Sequence, residues 1–76
     1  MIELKVVHTE KPWTRPNPII FESIGPIIQN CNLWLFRRDY DGKDLVTSPI
    51  ESFYWVHENI CRITTRSQSI YEIKQL

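Results

Sequence analysis

Hydrophobic and polar positions alternate along most of this chain, and the alternation predicts strands. Residues 2–9 set Ile2, Leu4 and Val6 on one side and Glu3 and Lys5 on the other. A period of two marks a half-buried strand with one wet face. His8 falls on the apolar side near the strand end. No second ligand accompanies it, so it reads as a rim histidine and not a metal ligand. Residues 10–18 carry Pro12, Pro16 and Pro18. Proline removes a ladder donor and biases the residue before it to extended backbone, which predicts a stiff surface connection. Trp13 and Arg15 lie in it. Trp13 reads first as a ring folded back over the core, since buried aromatic area dominates small cores. The second reading is an aromatic offered to a partner from a rigid loop.

The next segment gives two conflicting signals. Asn17-Pro18 has the form of an N-cap and first helical residue, and Gly25-Pro26 that of a helix stop. Ile19, Ile20, Phe21 and Ile24 instead favour a strand. With both ends marked, the expectation is one short helix over 18–24, with Ile20, Phe21 and Ile24 inside. Residues 31–39 then form a first central strand. A second starts near Asp44, bends at Pro49 and continues through 50–57. Charge sets the expected register of this pair. A three-residue loop, Tyr40-Asp41-Gly42, places Asp39 opposite Lys43, Arg38 opposite Asp44 and Phe36 opposite Val46, and avoids setting Asp39 against Asp44. The last hairpin joins Ile60–Thr65 to Ile70–Ile73. An odd loop from Ser67 to Ser69 aligns Ile63 with Ile73 and Thr65 with Tyr71 on one face, with Thr64 opposite Glu72 on the other.

The predicted fold class is therefore mainly β: a small antiparallel roll or open barrel of about five strands, with at most one short helix near 18–24. The 76 residues make one small domain, residues 1–76. Hydrophobic residues at 42%, with three each of Trp, Tyr and Phe, exclude a disordered chain.

Charge narrows the function classes. Nine basic and nine acidic residues cancel and are mixed along the chain, against a non-specific nucleic-acid binder or a polybasic membrane anchor. No signal-peptide pattern and no run near the length of a spanning helix is visible. With Cys31 and Cys61 read as unpaired small hydrophobes, a cytoplasmic protein is expected.

Little in the sequence suggests catalysis, and no enzyme, cofactor or metal site is expected. His57 and Glu58 are adjacent, so on a strand they point to opposite faces. Cys61 beside His57 reads as a structural thiol and a turn histidine, for want of room for a pocket. With glycine only at Gly25 and Gly42, no phosphate-cradling loop exists. What stands out is strands apolar on both faces. Leu33 and Leu35 oppose Trp34 and Phe36, and Phe53 and Trp55 oppose Tyr54 and Val56. A single core needs one apolar face, and a second that stays uncovered marks an interaction site. The expected function is a non-catalytic protein-interaction module, regulatory or inhibitory. It would bind a partner protein, or itself as a homodimer, through Trp13, Trp34, Phe36, Tyr54 and Trp55. The alternative is a small β-barrel nucleic-acid-binding protein using Arg37, Arg38, Arg62 and Arg66 beside the aromatics. Nearby carboxylates favour a solvated mixed-charge face over that alternative.

Overall fold

Residues 1–37 and 43–76 are described in the computed structural model. Their strands are β1 (Ile2–His8), β2 (Ile19–Phe21), β3 (Ser23–Ile24), β4 (Asn32–Phe36), β5 (Leu45–His57), β6 (Ile60–Thr65) and β7 (Ile70–Gln75). They form one antiparallel sheet in the order β2-β1-β7-β6-β5-β4-β3. Only Glu22 separates β2 from β3, so the two ends of that order lie on neighbouring residues and the sheet nearly closes into a barrel. Backbone bonds from Glu22 N–H to the Phe36 carbonyl (2.8 Å) and from Gly25 N–H to the Trp34 carbonyl (2.8 Å) hold the closing strand to β4. The alternating inward side chains, among them Leu4, Phe21, Leu33, Leu35, Ile50, Cys61 and Ile63, fill the interior.

The mainly β barrel is the fold that the alternation predicts, with seven strands where the pattern predicts five. The difference lies in residues 19–24. They are two short strands, not a helix, and Ile19 is buried while Ile20 is only half-buried opposite Glu3. A two-turn helix has little stability of its own, whereas Ile19, Ile20 and Phe21 gain a ladder with β1 and Ile24 one with β4. Asn17 caps nothing. Its amide accepts from Val6 N–H (2.9 Å) and donates to the Val6 carbonyl (3.1 Å). One side chain thus does for β1 what a further residue of β2 would do.

Both hairpins keep the predicted faces but slide by two residues. In the central pair Trp34 lies opposite Val46 and Leu35 opposite Leu45; the expected Phe36–Val46 partnership is not formed. Two polar contacts select this register. Thr47 Oγ1 accepts from the buried Leu33 N–H (3.1 Å), and Asp44 Oδ1 accepts from Arg37 N–H (2.9 Å). Asp44 is thus engaged by the Arg37 backbone. The Tyr40-Asp41-Gly42 loop and its flanking Arg38 and Asp39 lie outside the described residues. In the last hairpin Cys61 faces Ile73, Ile63 faces Tyr71 and Arg62 faces Glu72. Arg62 Nε and Nη2 both donate to Glu72 Oε2 (3.1 and 2.6 Å). That pairing displaces the expected Thr64–Glu72 and Ile63–Ile73 partners. The loop keeps three residues but moves back by one, to 66–68: Thr65 N–H donates to the Ser69 carbonyl (2.9 Å), and Gln68 takes a left-handed φ of 65°.

Strand β5 is the longest and changes neighbours half-way. Residues up to Pro49 pair with β4, and those from Ile50 onward pair with β6. Pro49, which has no N–H to donate, sits at the crossover, and its carbonyl accepts from Arg66 N–H (3.0 Å). The bend predicted at Pro49 is where the strand leaves one wall of the barrel for the other.

Candidate functional site

The crossover leaves the second half of β5 with a neighbour on one side only. Ile50 still bonds across to the 30–31 segment, its N–H to the Cys31 carbonyl (2.9 Å) and its carbonyl to Asn30 N–H (2.8 Å). The Gln29 side-chain amide then donates to the Glu51 carbonyl (3.0 Å). From Ser52 to His57 no described strand lies on that side. Residues 51–58 are all exposed.

The side chains on this half-strand follow directly from the pairing. Trp55 faces Cys61, Cys61 faces Ile73, Ile73 faces Leu4 and Leu4 faces Ile19. All share the inner face of the sheet, and the last four are buried. Trp55, at the end of the row, is 59% exposed. The next row repeats the arrangement: Phe53 faces Ile63, which faces Tyr71, which faces Val6, and Phe53 is 38% exposed. The core's own apolar rows therefore run out to the surface and stop in uncovered aromatic rings. On the outer face Tyr54 stands opposite Arg62, which pairs with Glu72, which stands opposite Lys5. The Glu72 carboxylate and the neighbouring Tyr54 hold the Arg62 guanidinium above its ordinary pKa. Val56, also exposed, completes the patch.

A second apolar patch lies on the outer face where β4 meets the first half of β5. Trp34 and Phe36 are exposed and stack, with centroids 6.3 Å apart and planes 15° from parallel. Exposed Val46 stands opposite Trp34. Gly25 comes close to the same tryptophan; a Cβ there would lie 3.5 Å from Trp34 Cβ.

Trp13 stands apart from both patches. It is half-buried against the core, its ring 6.2 Å from that of Tyr71, and its indole N–H donates to the Pro16 carbonyl (3.0 Å). Arg15 anchors the same loop, donating to the Lys43 and Asp44 carbonyls (3.1 and 2.9 Å). Between the loop and β5 runs an open groove of about 490 Å³, with Thr9, Trp13, Thr47, Ser48, Ser67 and Tyr71 in its lining. Its Ser48 and Ser67 hydroxyls bond each other at 2.7 Å.

The described arginines among those expected to meet nucleic acid do not converge on one face. Arg37 follows β4, with its guanidinium carbon 5.8 Å from the centre of the Phe21 ring. Arg62 is tied to Glu72, and Arg66 donates to Asn30 Oδ1 (3.1 Å) at the far turn; Arg38 lies outside the described residues. Cys31 and Cys61 are both free thiols, the first exposed and the second buried. Burial pushes the Cys61 thiol above its ordinary value, opposite to the shift that activates a nucleophile. His57 is exposed, its Nδ1 3.2 Å from Asn59 Oδ1. Among the described residues no three His, Cys, Asp or Glu side chains gather as a metal-binding group.

Of the residues expected to meet a partner, Tyr54 and Trp55 belong to the first patch and Trp34 and Phe36 to the second. Phe53 and Val56 join the first from outside that set. The signal that finds them is the unbroken apolar run 53–56, which only a strand exposed on both faces leaves at the surface. Comparison with protein-family models, curated proteins and solved structures gives no match, so the surface is read from its own geometry.

Proposed function

We propose that this protein is a non-catalytic interaction module whose contact surface is the second half of β5. One observation carries the reading. The end of β5 presents Phe53, Tyr54, Trp55 and Val56 to solvent, beside a backbone edge that no described strand pairs. Long, flat, apolar edges are aggregation hazards that proteins blunt with lysine, proline or a covering element. Between Ile50 and Ile60 the sequence has no Lys, Arg or Pro. An edge left so accessible suits docking by strand addition, in which main-chain bonds supply affinity and alternate side chains supply selection. Tyr and Trp are the residues that anchor interfaces. A small module of this kind acts on its partner by occupying a surface, which fits a regulatory or inhibitory role.

The test is capture by tagged protein from nuclease-treated lysate, with an untagged copy of the chain also present. The double variant Phe53→Lys/Trp55→Lys, checked for an unchanged far-UV circular dichroism spectrum, serves as the comparison. The wild type is expected to retain a protein species that the variant loses. Equal capture by both, or capture that disappears on nuclease treatment, rejects the reading.

A further inference from the structure

We propose that the open edge of β5 pairs with the same edge of a second copy of this chain, antiparallel, about a two-fold axis at Tyr54. The inference rests on the interaction-surface reading above and names its occupant.

The edge is complementary to itself. An axis at Tyr54 sets Phe53 against Trp55 of the other copy, twice. This aromatic contact falls on the inner face and the two Tyr54 rings meet on the outer one. Aromatic partners are favourable cross-strand pairs. Moving the axis to Trp55 breaks both Phe53–Trp55 contacts and sets Tyr54 against Val56, which lies in the irregular part of the strand.

The ladder between β5 and β6 is irregular between Ile50 and Ser52 and again between Trp55 and His57. Bulges twist an edge away from long additions. A short regular stretch matches another of the same length, which a second copy supplies.

The inner rows also meet across the axis. The row ending Ile73–Cys61–Trp55 continues into Phe53–Ile63–Tyr71 of the other copy, so uncovered rings adjoin each other and not water. The exposed fractions of Phe53, Tyr54 and Trp55, 38%, 57% and 59%, amount to about 300 Å² per copy if each ring has about 200 Å² to bury. With the backbone edge and the flanking side chains, the total approaches the ~1,000 Å² threshold of specific association. The expected complex is a weak, reversible dimer.

The experiment has two arms on the full chain. Sedimentation velocity from low micromolar to submillimolar concentration is expected to show a reversible monomer–dimer equilibrium. Trp55→Lys, with an unchanged circular dichroism spectrum, shifts the midpoint at least tenfold upward. In a Cys31→Ser background, Tyr54→Cys is expected to form an intermolecular disulfide with diamide, because facing residues of antiparallel strands lie about 4.5–5.5 Å apart, within disulfide reach. Phe53→Cys and Trp55→Cys, each alone, link far less. A dimer that survives Trp55→Lys, or one that cross-links through Trp55→Cys and not Tyr54→Cys, overturns the proposal. A chain that stays monomeric throughout also overturns it. In that case a partner protein still lost with Phe53→Lys/Trp55→Lys leaves the interaction reading standing, and no such loss removes both.

Discussion

Replacing Thr47 by valine tests what sets the register of the central strands. Thr47 is 5% exposed. Its hydroxyl accepts from Leu33 N–H at 3.1 Å and donates to the Ser48 carbonyl at 2.8 Å. The β4–β5 ladder is irregular between Asn32 and Trp34, and Leu33 falls in that gap, so the threonine side chain supplies the acceptor that the opposite backbone does not. Valine has nearly the same shape and no acceptor. A buried N–H left unsatisfied costs about 1–3 kcal/mol, and the added methyl returns less than ~0.8 kcal/mol. The net loss is about 1–2 kcal/mol, or roughly 5–15 °C in Tm for a domain this size. Thr47→Ser removes a methyl but keeps both hydrogen bonds. Thermal unfolding by circular dichroism gives the stabilities, and amide hydrogen exchange at Leu33 separates the two variants. Protection is expected to fall with valine and to persist with serine. A Thr47→Val protein as stable as the wild type, with Leu33 still protected, would refute the assignment of register to this hydroxyl.

Two further outcomes are expected. Asn17→Ala removes both amide contacts to Val6 and should lower stability by about 1–2 kcal/mol, less than a buried pair because water reaches the site; a change below about 0.5 kcal/mol in denaturant unfolding would show that the amide is not part of the sheet. A thiol reagent should modify Cys31 in the native protein and Cys61 only after unfolding. Because burial raises the Cys61 pKa in the folded chain, the unfolded chain ionises first, so this thiol's contribution is present below its ordinary value of 9.0 and is lost as pH rises through the folded value. Modification of both thiols at equal rates in the native state, or no alkaline loss that Cys61→Ala removes, would contradict the placement.

Both hairpins show where a sequence stops specifying its own pairing. Side-chain parity separates faces, and it places Phe36 with Val46 and Ile63 with Tyr71 on the correct sides. A slip of two residues changes no face, so parity is blind to it. The choice among such registers falls to contacts that parity does not weigh: Asp44 binding a backbone N–H, Thr47 standing in for a carbonyl, and Arg62 meeting Glu72. The segment after Pro18 shows the same limit. Its punctuation has the form of a helix, but Asn17 spends its amide on Val6, eleven residues back, and only the assembled sheet makes that contact available.

The candidate surface follows from a similar non-local decision. The two-faced apolar run at 53–56 is visible in the chain, and so is the bend at Pro49. What the chain does not display is that β5 changes partner at that bend. Before it, Leu45 to Pro49 have β4 alongside and Ile50 lies wholly buried; after it, the strand has β6 on one edge and nothing described on the other. Trp55 and Cys61 are direct cross-strand partners on the same face, yet one is 59% exposed and the other is buried completely. Hydrophobicity does not separate them, since the larger side chain is the one outside. The separation comes from the count of neighbouring strands: β6 lies between β5 and β7, and the end of β5 has β6 alone. One more strand on that edge would extend the inner rows by a column. None of the described residues supplies that strand, and this is the opening that the proposed pairing with a second copy uses.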